Sequence, residues 1–255
     1  MRALPLLTLL LATPGLAAAQ EAGETLSFNF RAGLGAQSAP LFFGSDETSV
    51  GVTGSFEFGD LSFGGRCFGC DDSPGWGPTG SFRYIGARDS IFDSEGPDIA
   101  VDPLYVYDAV DAAFELGGGL AYTSPGVEAS AVVRRGFGGH EGYVLDLSAD
   151  AVFAVSDALT LKVGPRLLAG DESYMDTYFS TTAGFLGTGS FEAGAGVASR
   201  GVEVSANYDV TVDWGIVATA RYDQLVGDAA NSPVSVSDDQ TTLSLVVTRA
   251  FSLRF

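Results

Sequence analysis

A period-two alternation of apolar and polar residues recurs from Leu26 to Phe255 and limits what this chain can fold into. Successive side chains of an extended strand point to opposite faces, so such a run builds a sheet with one apolar and one polar face. In TLSFNFRAGLGA, Leu26, Phe28, Phe30, Ala32 and Leu34 share one face, while Ser27, Asn29 and Arg31 share the other. Further along, Phe114, Leu116, Leu120 and Tyr122 oppose Glu115, and Tyr143, Leu145, Leu147 and Phe153 oppose Asp146, Ser148 and Asp150. Leu159, Leu161, Val163 and Leu167 oppose Lys162 and Arg166. Val202, Val204, Ala206 and Tyr208 oppose Glu203, Ser205, Asn207 and Asp209, and Ala220 and Tyr222 oppose Arg221 and Asp223.

Alternation leaves two solvents open. In a soluble sandwich the apolar face turns inward; in an outer-membrane barrel it meets lipid and the polar face lines the lumen. The opening MRALPLLTLLLATPGLAAAQ, with one Arg and an apolar run ending in three Ala, reads as a signal peptide over residues 1–19, leaving 20–255 as an exported domain. No later stretch approaches the ~18 consecutive apolar residues of a membrane helix. Export, 34 Gly residues and strands of roughly ten residues favour the barrel. So does the ending TTLSLVVTRAFSLRF, where Leu243, Leu245, Val247, Phe251, Leu253 and Phe255 alternate as in the terminal strand of such barrels. The expected fold is an all-β antiparallel transmembrane barrel of about 12 strands, with roughly 10 to 14 admissible under the even-number rule.

Three places strain the pattern. Arg249 falls on the apolar face, so either it snorkels to the rim or a bulge between Val247 and Phe251 turns it inward. Pro165 lies inside a strand, where it forfeits a ladder hydrogen bond. FEFGDLSFGGRC is either a hairpin turning at Gly59 and Asp60 or one bent strand. Short turns at TSPG and VSDA are expected on the periplasmic side. QSAPLFFGSDET, RDSIFDSEGPDIAVDP, GDESYMD and QLVGDAANSPVS are expected outside.

The formal charge of −19, from 32 acids against 13 bases, argues against a nucleic-acid partner, whose phosphates would be repelled. GLG, GGG and GAG are not nucleotide loops, because no helix follows them, and no cofactor is expected.

Several segments, in order, resemble the MipA/OmpV family of outer-membrane proteins. They are GLGAQSAPLFFGSDE, GPTGSFRYIGARD, FELGGGLAY, GFGGHEGY, GDESYMDTYF and RYDQLVGDAANSPV, the last carrying Gly227, Asp228, Ser232 and Pro233. The resemblance implies a non-enzymatic barrel that scaffolds a lytic transglycosylase and a murein synthase at the cell wall. Arg249 and the cysteine pair depart from the family pattern.

Cys67 and Cys70 have CxxC spacing, but no second pair completes a zinc site, and in an oxidising compartment a local disulfide is the simplest outcome. His140, the single histidine, suggests a barrel hydrolase working with Glu141 and Ser148. A glycine-flanked loop is a poor platform for a base, so a catalytic role is not expected. Arg31, Arg83, Lys162, Arg166 and Arg221 share the lumen face with Glu57, Glu115, Asp146, Asp150, Glu192, Glu203, Asp209 and Asp223. They form either a filling of ion pairs or the lining of a small cation-preferring channel. Loop carboxylates such as Asp46, Asp71, Asp171 and Asp238 read as a solvated acidic surface, or as sites for cations bridging lipopolysaccharide phosphates. Outer-membrane lipid and lipopolysaccharide are the surrounding partners.

Overall fold

A computed structural model describes residues 26–63, 66–68, 75–88, 105–106, 108–183 and 190–255. The expected signal peptide and the expected Cys67–Cys70 disulfide fall outside what is described. The elements run β1 (Ser27–Pro40), β2 (Thr48–Phe63), β3 (Arg66–Phe68), β4 (Gly75–Ile85), β5 (Tyr105–Val106), β6 (Ala113–Ser124), β7 (Val127–Gly138) and β8 (Tyr143–Ala154). There follow β9 (Leu159–Gly170), α1 (Glu172–Phe179), β10 (Thr182–Ala183), β11 (Gly196–Asp209), β12 (Trp214–Leu225), α2 (Asp228–Asn231) and β13 (Asp239–Arg254).

Eleven strands form one antiparallel sheet in the order β3-β2-β1-β13-β12-β11-β9-β8-β7-β6-β4, while β5 and β10 pair separately. The first and last strands are neighbours, from Ser27 opposite Arg254 to Ser38 opposite Leu243, so the sheet curls back on itself. Its outer edges meet where Phe56 of β2 lies 6.4 Å from Phe82 of β4. That contact belongs to a line of rings crossing the seam: Phe251 to Phe30 at 5.1 Å, Phe30 to Phe56 at 5.5 Å and Phe82 to Phe114 at 5.9 Å.

The polarity of the wall decides its solvent. Leu34, Leu120, Val133, Val204 and Leu245 are exposed on the outer face, whereas Glu115, Arg134 and Asp150 are buried on the inner one. A soluble sandwich would show the reverse, so this is a lipid-facing barrel wall.

Among the described residues the long strands have 11 to 16 residues, and the sheet has ten of them if the three-residue β3 is set aside. This is the lower bound of the expected range. Among the described residues, 86–88, 108–112, 171–181 and 190–195 lie between the long strands, in the connections that follow β4 and β9. Glu192 belongs to one of these and is exposed there, not on a lumen strand.

The three strained places resolve individually. β2 runs straight through Gly59 and Asp60, absorbing an extra residue where Phe28 faces Leu61 but Phe30 faces Phe58. At Pro165 the β9 ladder with β11 continues, while the ladder with β8 skips from Ser148–Arg166 to Ala151–Val163. Register through β13 is unbroken, which rules out a bulge at Arg249. Arg249 faces outward opposite Trp214, near the strand end, with its guanidinium carbon 5.3 Å from the Trp214 ring and 5.4 Å from that of Phe251. A cation held over aromatic rings at the interface avoids the cost it would meet at the midplane.

Candidate functional site: a capped barrel end over paired lumen charges

The turns at 125–126, 155–158 and 210–213 lie at the end carrying Ser27 and Arg254; the longer connections lie at the other end, where they fold inward. The centre of that cap is α1. Asp171 starts it by accepting a hydrogen bond from the Tyr174 amide at 2.9 Å, and Glu172 complements the positive end of the helix dipole. Tyr174, Met175, Tyr178 and Phe179 are buried with Val110, Val144, Leu168, Ala198 and Leu225. Burial pushes the Tyr174 phenol up to about 12 and raises that of Tyr178 as well.

Neighbouring connections lock the helix. From 41–47, Phe43 sets its ring edge-on to Tyr178 at 5.1 Å. Arg88 Nη1 donates to the Tyr178 carbonyl at 2.9 Å, placing a cation at the helix C-terminus. From 226–238, the buried Ser232 hydroxyl donates to the Phe179 carbonyl, and the Val234 side chain is buried. Asp228 accepts from the Gly194 amide at 2.9 Å, and Gly227 takes the left-handed φ of 59° that starts the loop. Gln240 Oε1 accepts from the Gly44 amide at 3.3 Å, while its Nε2 donates to the Ser45 carbonyl at 3.3 Å. QLVGDAANSPVS is therefore more than a polar surface turn: Gly227 and Asp228 are exposed, but Ser232 and Val234 reach into the cap.

His140 comes from the β7–β8 connection and lies fully inside. Its ring stands edge-on to Tyr174 at 5.2 Å and to Tyr178 at 5.4 Å, with Nε2 3.2 Å from Glu115 Oε1. A Cβ at Gly136 would overlap the ring, which explains why glycine precedes the GGHEG turn. Ser148, the expected hydrolase partner, instead hydrogen-bonds Ser130 at 2.8 Å.

Beneath the cap, Glu115 is completely buried. It accepts from Arg83 Nη2 at 2.8 Å and from Arg134 Nε at 2.9 Å, and Arg134 Nη2 continues to Asp146 at 3.0 Å. Two guanidiniums shared between two carboxylates satisfy charges that would otherwise be costly to bury. A second group follows, with Arg166 2.9 Å from Asp150 and 3.0 Å from Glu203, and Arg221 held on Asp223 through Nη2 at 3.0 Å. Toward the open-turn end, Lys162 pairs with Glu128 at 2.6 Å and Arg31 with Asp209 at 2.9 Å.

Sequence reading missed Arg134, which bonds two carboxylates and Ser81. The signal lies in VEASAVVRRGFG, where the doublet interrupts the alternation but the order Ala131, Val133, Arg135 keeps Arg134 on the inner face.

The family model described as MltA-interacting protein MipA matches residues 32–251. No curated protein matches the sequence. Among solved structures, similarity is found to Neisserial surface protein A, at 12% identity over 92% of this chain and 100% of that chain, with a TM-score of 0.31. It is found also to Ail, the attachment invasion locus protein of Yersinia pestis, at 12% identity over 90% and 100%, with a TM-score of 0.32. The translocator domain of autotransporter NalP from Neisseria meningitidis is similar at 12% identity over 91% of this chain and 89% of its own, with a TM-score of 0.34.

Proposed function

We infer the function from one premise: this chain belongs to the MipA family, MltA-interacting protein, whose model matches residues 32–251. The protein is an outer-membrane β-barrel. We propose that it is a non-catalytic scaffold that holds a lytic transglycosylase of the MltA kind, together with a murein synthase, at the cell wall. The observation that carries this reading is the family match, since the family's name records the interaction with MltA. The cap supports it indirectly: α1 fills one mouth with aromatic side chains, and among the described residues beneath it Arg83, Arg134 and Arg166 pair with Glu115, Asp146, Asp150 and Glu203. Both features weigh against the alternative of a cation-preferring channel, whose carboxylates would have to face a water path.

In a barrel of this polarity the short turns face the periplasm, so the enzymes would dock at the end formed by 125–126, 155–158 and 210–213. The test is affinity purification of the intact barrel from outer membranes. Recovery of a lytic transglycosylase and a murein synthase is expected, and their repeated absence alongside a folded barrel would sink the scaffold.

A further inference from the structure

The lipid-facing wall carries a shallow groove of about 540 Å³ across β8, β9, β11 and β12. Leu147, Pro165, Leu167, Val202 and Tyr222 line it, and Arg200 stands at one end. The depression lies where Pro165 interrupts the β8–β9 ladder. Its height on the wall can be read from the strands. On β11 the outward residues Val202, Val204, Ala206 and Tyr208 form the apolar band, and Arg200 is the next outward residue toward the capped end. On β12, Gln224 stands opposite Arg200, directly above the outward residue Tyr222. The groove therefore runs from the apolar band of β11 and β12 to the Arg200–Gln224 pair on the side of the capped end.

Arg200 is unlike the other outward-facing cations along the strands. Arg249 is stacked on Trp214 and Phe251, and Arg135 lies over Phe137 and Tyr143 at 5.6 and 5.8 Å. Arg200 has a single described partner, the neutral Gln224 amide oxygen, to which Nη2 donates at 3.2 Å, and no carboxylate pairs with it among the described residues. The nearest acid across the ladder, Asp239, pairs opposite Gln224 and accepts the Tyr222 hydroxyl instead. In a chain of net charge −19, an exposed guanidinium without a carboxylate at the end of an apolar groove is complementary to an anionic amphiphile.

We propose that the groove is a specific lipid site, in which one acyl chain of an outer-leaflet lipid A lies along Leu147, Pro165 and Val202 and a phosphate pairs with Arg200. Arginine suits this role because its planar fork meets two phosphate oxygens at once.

The full barrel, purified in detergent, is titrated with lipid A and the bound lipid counted by native mass spectrometry; heat-modifiable migration verifies that each variant is folded. Arg200→Gln is expected to weaken retention about tenfold, as befits a lost charge-assisted pair. Arg200→Lys should lose less, Arg135→Gln should change nothing, and Val202→Trp should expel the acyl chain while leaving the charge in place. Lipid A stripped of its phosphates should bind like the Arg200→Gln combination. Equal retention by the wild type and Arg200→Gln overturns the proposal. Displacement of lipid A by inorganic phosphate, with Val202→Trp without effect, overturns it in favour of a bare anion site.

Discussion

Arg134 and Arg135 are adjacent in sequence and face opposite solvents, which shows how strictly the strand period assigns each side chain its task. Arg134 turns inward and joins Glu115 to Asp146; Arg135 turns outward and rests on two aromatic rings. The inner pair is costly to break because Glu115 has no exposure with which to recover water. Glu115→Gln leaves Arg83 and Arg134 short of a countercharge and should destabilise the barrel by about 3–5 kcal/mol. Asp209→Asn removes the half-exposed partner of Arg31 and should cost about 1 kcal/mol or less. Urea unfolding of the two variants in the same lipid checks the contrast. The buried phenols give a pH dependence of known sign. Tyr174 is raised from 10.0 to about 12 in the fold, so its contribution is complete below the unfolded value. It is lost as pH rises from 10.0 through about 12. On alkaline titration followed by phenolate absorbance, Tyr174→Phe should remove one late-ionising component.

Among the elements, α1 is the longer of two helices that the alternation could not reveal among the described residues. GDESYMDTYF has the Asp cap and the apolar residues of a short helix, yet in a chain of strands it reads as a polar loop. Its burial depends on Phe43, Arg88, His140 and Ser232, which arrive from four separate connections. The same assembly explains why the family segments lie so far apart in sequence: GSDE, GGHEG, GDESYMD and GDAANSP all meet at one end. Replacing 172–179 by a Gly-Ser linker of equal length should remove the aromatic filling. Planar-bilayer recordings are expected to show no conductance steps for the intact protein and discrete steps for the linker variant. Steps in the intact protein would favour the channel. The strained strands were legible only as alternatives. Gly59-Asp60 and Arg249 each allowed two geometries, and the choice was made by the neighbouring strands whose register had to be satisfied.

For the molecule as a whole, the ladder between β1 and β13 places both strands inside the sheet, so neither is an edge that can peel away alone and unfolding is expected to be cooperative. Unheated samples should therefore migrate on a denaturing gel as a compact form that heating converts to the full-length position; a single band insensitive to heating would count against the closed barrel. The alternation by itself determined the sheet, the two faces of β1, β6, β8, β9, β11, β12 and β13 and the inner position of Glu115, Asp146, Asp150, Arg166 and Glu203, because side-chain direction in a strand is a local property of the backbone. It did not determine that Glu115 is shared between Arg83 and Arg134, that His140 is packed between two tyrosines, or that the loops close one mouth. Those outcomes depend on which strands become neighbours and on which connections share the same space. Only the tertiary structure decided them, since long-range pairing is set by packing and register rather than by local preference.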